Sequence, residues 1–161
     1  MDKKLQKAFN DQIKNELYSA YLYLAMAAYF DSKSLSGFSH WMKVQHKEEV
    51  SHAMKMFDFL NDRGVRVLLQ PIAQPTLEYG STLEVFEETL KHEKKVTSLI
   101  NALYDLARQV EDRASGVFLQ WFISEQVEEE KNATQIIETL KMIKPEGPAL
   151  VMLDRELAKR E

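Results

Sequence analysis

The amino-acid sequence predicts an all-α protein: a four-helix bundle with one long crossover between the second and third helices and a short fifth helix. Apolar residues recur at spacings of three and four along four long segments, which is the period of an amphipathic helix. Only 5 Gly and 4 Pro occur among 161 residues, too few for a turn-rich β architecture. The prolines fall in two segments, 71–75 and 145–148, outside the helical pattern. We expect one domain over residues 1–161.

The first two helices are expected at about residues 3–31 and 35–63. In the first, the apolar stripe begins at Leu5 and continues to Phe30, where the polar cluster 31–34 breaks it. The second ends at Gly64, because glycine suits the left-handed conformation that follows many helices. A short turn joins the two helices, so they must be antiparallel.

The third and fourth helices are expected at about residues 81–110 and 113–143. Residues 64–80 contain two prolines and lack a helical period, so they form an extended loop. Ser81 and Glu84 form a capping box at the start of the third helix. An extended loop of about 16 residues reaches roughly 53 Å, and a helix of about 29 residues is roughly 44 Å long. The loop can therefore cross the whole bundle and make the second and third helices parallel.

The fifth helix is expected at about residues 147–159. Leu150, Leu153 and Leu157 share one face of it, but a helix this short is not stable alone. It must pack either against its own bundle or against another subunit, and the sequence leaves both options open.

Composition excludes several classes of function. The chain has no cysteine, so any metal must be bound by oxygen and imidazole. The net charge of −4, with acidic and basic residues interspersed, offers no basic face for nucleic acid. The longest apolar run, residues 20–30, is too short to span a membrane. The N-terminal residues lack the pattern of a signal peptide, which favours a cytoplasmic location.

An internal repeat brings polar residues to matching heights in two helical hairpins. Glu16 precedes Glu49 by 33 residues, and Glu93 precedes Gln126 by the same interval, so the two hairpins align at an offset of 77. This offset matches Glu16 with Glu93, Glu48 with Glu125, Glu49 with Gln126 and His52 with Glu129.

Several of these residues interrupt the apolar stripes. Glu16 lies between Ile13 and Leu17, on the face that should point into the core. An unpaired buried carboxylate costs several kcal/mol, so a group of them requires cations. Glu49 and His52, at spacing i, i+3, place a carboxylate and an imidazole on one helical face, an arrangement that di-iron helical bundles require.

Three runs carry a resemblance to a known family: residues 15–24 (NELYSAYLYL), 48–55 (EEVSHAMK) and 118–130 (FLQWFISEQVEEE). They resemble the bacterial non-haem ferritins, and the resemblance covers nearly the whole chain. It implies a ferritin-like fold, ferroxidase activity that oxidises Fe(II) with O2 or hydrogen peroxide, and storage of the ferric product. It also implies a hollow homo-oligomer of 24 subunits, with the fifth helix near the four-fold axes.

The resemblance assigns roles to individual residues. One iron would be held by Glu16, Glu49 and His52, and Glu49 would bridge to a second iron bound by Glu93 and Glu129. Gln126 would lie beside the second iron. A third iron position would use Glu48, Glu125, Glu128 and Glu129. Tyr23 would act as an electron donor or as a core tyrosine, while Trp121 would lie near the iron or, as we expect, fill the interior.

Differences from the bacterioferritins narrow the expected ligands of the metal site and the expected cofactor. Bacterioferritins have a second Glu-x-x-His, whereas this chain has Gln126 and Glu129 at those positions, so the second half of the site offers only oxygen ligands. Bacterioferritins also bind haem through a methionine, and Val50 stands at that position, so no haem is expected. His40, His46 and His92 lack partners at ligand spacing and are expected to be exposed or to cap helices.

Three alternatives remain beside iron storage. Miniferritins lack the terminal helix and place the metal between subunits, so they fit less well. A rubrerythrin-like di-iron peroxidase would add a second Glu-x-x-His and a cysteine-rich domain. A structural cage or bundle without metal turnover would make the convergent ligands a coincidence.

Overall fold

The computed structural model describes all residues 1–161 and consists of five α-helices without strands. The helices are α1 (Lys3–Ser32), α2 (Ser36–Asp62), α3 (Thr82–Gln109), α4 (Arg113–Met142) and α5 (Pro148–Leu157). Their ends lie within two residues of the predicted ones. The predicted all-α fold is therefore confirmed. None of the helices combines the length and the apolar character needed to cross a membrane.

The helix directions follow from contacts between α2 and α4. Gln45 of α2 bonds to Glu129 of α4, and further along α2 the ring of Phe59 stacks on Phe118. Because rising residue numbers in α2 meet falling numbers in α4, these two helices are antiparallel. The short turn from α3 to α4 makes that pair antiparallel too. Helices α2 and α3 are thus parallel, and the predicted long crossover is confirmed.

Local signals in the sequence set the ends of several helices. Asp2 caps α1 by accepting from the Lys4 amide at 2.8 Å. Ser81 caps α3 by accepting from the Glu84 amide at 3.1 Å, and the Glu84 carboxylate reaches back to the Gly80 amide at 2.7 Å. Gly64 follows α2 with φ +67°, a conformation that glycine adopts at little cost.

Two apolar clusters fill the bundle, one toward each end. Phe30, Phe38 and Phe86 belong to the cluster nearer α5, with the first two rings stacked at 5.2 Å. Phe9 and Phe59 belong to the cluster at the other end. All four long helices carry buried polar residues between the two clusters. This polar layer, as we call it, consists of Glu16, Glu49, His52, Glu93, Gln126 and Glu129.

The crossover, residues 63–81, lies along α1. Its Leu68 amide donates to Asn10 at 2.6 Å, and Gln70 donates to Asp11 at 2.7 Å. Val65 belongs to one apolar cluster and Tyr79 to the other, so the loop spans the distance between them.

Helix α5 packs on its own bundle, which is one of the two arrangements that the sequence left open. Leu150 and Leu157 are buried in the cluster that contains Phe38. Asp154 of α5 accepts hydrogen bonds from the Gly37 and Phe38 amides at 2.8 and 2.9 Å and so caps α2, whose own N-cap residue provides no side-chain bond. A side chain at Gly37 would collide with the Asp154 backbone, because a Cβ there would lie 1.6 Å from the carbonyl oxygen.

Candidate metal centre

The polar layer is closed to solvent on nearly every side. Each of its six residues is at most 5% exposed. The positions arise from helical periodicity, since each residue lies on the same face as the apolar residues of the adjoining clusters. Buried carboxylates without cations destabilise a fold, so packing alone does not explain why these residues lie in the core.

The first group in the layer consists of Glu16, Glu49 and His52, whose donor atoms lie within 4.8 Å of one another. Gln12 donates to Glu16 Oε1 at 2.8 Å and holds that carboxylate in place. Glu49 Oε2 is buried without any hydrogen-bond partner and lies 3.6 Å from His52 Nδ1. A buried carboxylate oxygen without a partner is the chemistry that a cation would satisfy.

A second group shares His52 with the first and adds Glu125 and Glu129. His52 Nε2 lies 3.8 Å from Glu125 Oε1. Gln45, itself fully buried, donates to Glu129 Oε2 at 2.6 Å. The two ring nitrogens of His52 therefore face different groups, and the imidazole joins them.

Glu93 lies beside these groups with its carboxylate bound to neighbours. The Tyr23 hydroxyl donates to Glu93 Oε1, and Gln126 donates to Glu93 Oε2 at 3.1 Å. The donors of Glu49, Glu93 and Glu129, the set predicted for the second iron, do not form one compact group. Their charges nevertheless interact, since the charge of Glu93 acts on both of the other carboxylates.

Burial and mutual repulsion hold the carboxyl protons in this layer. Burial, followed by the charge of Glu49, raises the pKa of Glu16 well above its ordinary value. The pKa of Glu49 is raised in the same way by burial and by Glu93 and Glu129. Burial also raises the pKa of Glu93, and burial together with the charge of Glu93 raises the pKa of Glu129 to about 8. The raised pKa values favour the protonated carboxyls in the absence of metal, so a bound cation would displace protons.

The donor types limit the cations that would fit. Carboxylate oxygens with one imidazole suit iron, manganese and zinc, and the lack of thiolate disfavours soft metals. Glu16, Glu49 and His52 can hold one cation, and the neighbouring carboxylates of Glu93 and Glu129 offer oxygen ligands for another. The residues present therefore fit a pair of divalent metal ions.

The remaining predicted site residues, Glu48, Glu128 and Tyr23, differ in their burial and in their contacts. Glu48 is half-buried and paired with Arg160. Glu128 is exposed and outside both groups, because its helical direction differs by about 100° from that of Glu129. The Tyr23 hydroxyl bonds to Glu93, and burial and that charge raise its pKa well above the ordinary value.

Two expectations about aromatic rings and histidines need correction. Trp121 is not an interior filler: it is 39% exposed and its ring lies edge-on to His52 at 5.4 Å. His92 neither caps a helix nor is exposed; it bonds to Ser19 at 2.8 Å, and burial lowers its pKa to about 4. Both residues lie where two helices meet, and the periodicity of one helix does not reveal how its neighbour covers it.

Three polar residues of the centre were not singled out from the sequence. Gln12 and Gln45 each precede a layer glutamate by four residues, a spacing that places them on the same helical face and could have identified them. Arg160 contacts Gln45 and Glu48 from far along the chain, and nothing in the local sequence signals that contact.

The fold and this acid-lined layer define a class of helical bundle that binds metal ions, and comparison with known proteins identifies the family. The sequence model of the family described as the ferritin-like domain matches residues 6–143 of this chain. The chain therefore belongs to the ferritin family, a family of iron-storage proteins, and its glutamates and histidine are compatible with a di-iron site.

Individual relatives agree with this assignment. A bacterial non-heme ferritin of Bacteroides fragilis is 40% identical, with 99% of both chains covered. A bacterial non-heme ferritin of Staphylococcus epidermidis is also 40% identical and covers 99% of this chain and 96% of its own. An open-pore ferritin from the hyperthermophilic archaeon Archaeoglobus fulgidus has a solved structure that superposes with a TM-score of 0.99 at 50% identity, covering 100% of this chain and 99% of the other.

Proposed function

We propose that this ferritin is a ferroxidase that oxidises Fe(II) at a di-iron centre inside each subunit and stores the Fe(III) product as a mineral. The observation that carries the proposal is the polar layer: carboxylates from all four long helices and one imidazole converge in a closed interior, and Glu49 Oε2 has no partner there. Cations that neutralise the layer would remove its electrostatic cost.

The first Fe(II) would be bound by Glu16, Glu49 and His52, whose donors already lie together. The second would be bound by Glu49, Glu93 and Glu129, with Gln126 beside it. Glu93 must then exchange its bonds to Tyr23 and Gln126 for the metal, which makes the second position the weaker one. Binding at either position releases protons from carboxyls whose pKa is raised.

The chain's part in oxidation is to hold two Fe(II) ions side by side and to exclude water. Each Fe(II) gives up one electron, and O2 accepts both together with two protons to form hydrogen peroxide; hydrogen peroxide itself can serve as the oxidant in place of O2. The Tyr23 hydroxyl donates to Glu93 and would orient that carboxylate toward the second iron. The clustered carboxylates compensate the rising positive charge of the pair.

A third iron position would use Glu48, Glu125, Glu128 and Glu129; Glu125 and Glu129 already lie together beside His52. Glu128, the remaining residue implied by the family, would have to turn inward from its exposed position to take part. The second group therefore supports this position through Glu125 and Glu129.

Storage requires a shell, which we propose to be a cytoplasmic homo-oligomer of 24 subunits. The single bundle exposes large apolar side chains on the crossover, including Leu68, Leu69 and Ile72. Helix α5 exposes Val151 and Met152 on the face opposite its own bundle. Such exposed apolar surface is typical of subunit contacts.

Iron oxidation tests the proposal. Fe(II) added to the purified protein should be oxidised with uptake of O2, measured by an oxygen electrode and by the near-ultraviolet absorbance of Fe(III). Glu49→Gln should slow the initial rate by at least about 100-fold, since loss of groups that merely support metal ligands already costs 10- to 100-fold. Glu138→Gln, an exposed change on α4, is the matched control. A Glu49→Gln variant as fast as the control would overturn the assignment.

A further inference from the structure

Arg160, the next-to-last residue, makes four contacts with α2. Its guanidinium donates to Gln45 Oε1 at 2.8 Å and to the carboxylate of Glu48. The same group lies 4.3 Å above the ring of Trp41, within the range of a cation–π contact. Its carbonyl accepts from His40 Nε2 at 2.7 Å. The side chain of Arg160 is only 18% exposed, so these contacts fix the guanidinium against α2.

The bond to Gln45 fixes the orientation of that amide. Because Arg160 holds the amide oxygen of Gln45, the amide nitrogen must point the other way, toward Glu129 Oε2 at 2.6 Å. In the flipped orientation, the amide NH2 group would face the N–H donors of the guanidinium, and the amide oxygen would face the Glu129 carboxylate oxygen. Both bonds would then be lost. Arg160 thereby acts through Gln45 on a carboxylate of the second group.

The bond to Glu48 has a different consequence. A guanidinium is permanently charged, so Arg160 supplies a fixed positive charge to Glu48. Glu48 precedes His52 by four residues, so the two share one face of α2, and Glu48 interacts with the charges of His52 and Glu125. Arg160 therefore occupies Glu48, the carboxylate that a cation in the second group would bind next.

We propose that Arg160 is a positioning residue that competes with divalent cations for Glu48, so that a cation held by Glu125 and Glu129 recruits Glu48 only by displacing the guanidinium. The inference rests on the proposed function of the polar layer. By reciprocity, occupation of this position loosens the C-terminal segment from α2, and removal of Arg160 tightens cation binding.

Zinc binding followed by calorimetry tests the competition without any redox step. Arg160→Gln removes the charge and keeps a donor for Gln45. The weakest zinc site should tighten about fivefold, as expected for loss of a competing, partly exposed ion pair, while the stronger sites keep their affinity. In a Glu48→Gln background the Arg160→Gln change should have no effect, because the contested carboxylate is absent.

Fluorescence reports the displacement itself. The chain has 2 Trp, so a Trp121→Phe background leaves only Trp41, the ring beneath the guanidinium. Saturating zinc should shift the Trp41 emission in this background, and the shift should vanish when Arg160→Gln is added. Light scattering of each variant checks that the assembly is unchanged.

Unaltered affinity of the weakest zinc site in Arg160→Gln, with the stronger sites intact, would overturn this proposal and leave the proposed function standing. An equal Trp41 shift with and without Arg160 would overturn it as well. Failure of the Trp121→Phe and unmodified chains to bind zinc at all would instead overturn the proposed function, on which the inference rests.

Discussion

Glu129→Gln changes how the stability of the metal-free protein depends on pH. Burial and the charge of Glu93 raise the pKa of Glu129 to about 8 from an ordinary 4.5. Between these values the folded chain holds a proton that the unfolded chain has released. The stabilisation from this neutral carboxyl is complete below pH 4.5 and is lost as the pH rises through 8.

The size of the loss follows from the shift. One pKa unit corresponds to about 1.4 kcal/mol, so between pH 5 and pH 8 the contribution of Glu129 falls by about 3 kcal/mol. Glutamine has the same shape, accepts the same bond from Gln45 and does not titrate. The free energy of unfolding of Glu129→Gln should therefore fall by about 3 kcal/mol less than that of the unmodified chain over this range.

Urea unfolding of chelator-treated protein, at one subunit concentration and at several pH values, measures the difference. Glu138→Gln, exposed on the same helix, is the control and should follow the unmodified chain at every pH. A stability difference between Glu129→Gln and the unmodified chain that stays constant from pH 5 to pH 8 would refute the reasoning that burial keeps this carboxyl protonated.

Two further changes test other parts of the structure. Zinc affinity of the unmodified chain should rise between pH 6 and pH 8, by up to about tenfold per pH unit for each proton displaced. The reason is that cations must displace protons from Glu16, Glu49 and Glu129. Binding heats that differ between buffers of different ionisation enthalpy would show this proton release, and equal heats would contradict it. Gly37→Ala should undock α5, since the new Cβ would lie 1.6 Å from the Asp154 carbonyl oxygen. Limited proteolysis should then cleave residues 143–161 faster than in Asp154→Ala, which loses only a helix cap worth about 1 kcal/mol. Equal cleavage of the two variants would show that the close approach of α2 and α5 at Gly37 is unimportant.

The helices could be predicted because their signals are local. The apolar stripe that starts at Leu5, the glycine at the end of α2 and the capping box at Ser81 each act within a few residues, and the structure has helix ends close to those expected. The buried position of Glu16 could be predicted for the same reason: its neighbours Ile13 and Leu17 fix which way that face points.

Relations between helices were harder to predict. The exposed edge of Trp121 and the buried environment of His92 depend on how α4 and α3 meet their neighbours. Arg160 reaches Gln45 across 115 residues, and no periodicity connects them. The orphan oxygen of Glu49 is likewise visible only when all four helices are in place.

Diffraction from iron-soaked crystals, recorded on both sides of the iron absorption edge, tests the di-iron centre most directly. Anomalous peaks should appear between Glu16, Glu49 and His52 and, with lower occupancy, beside Glu93 and Glu129. Iron found only on the surface, with the polar layer free of anomalous density, would contradict the proposal that these buried acids bind Fe(II).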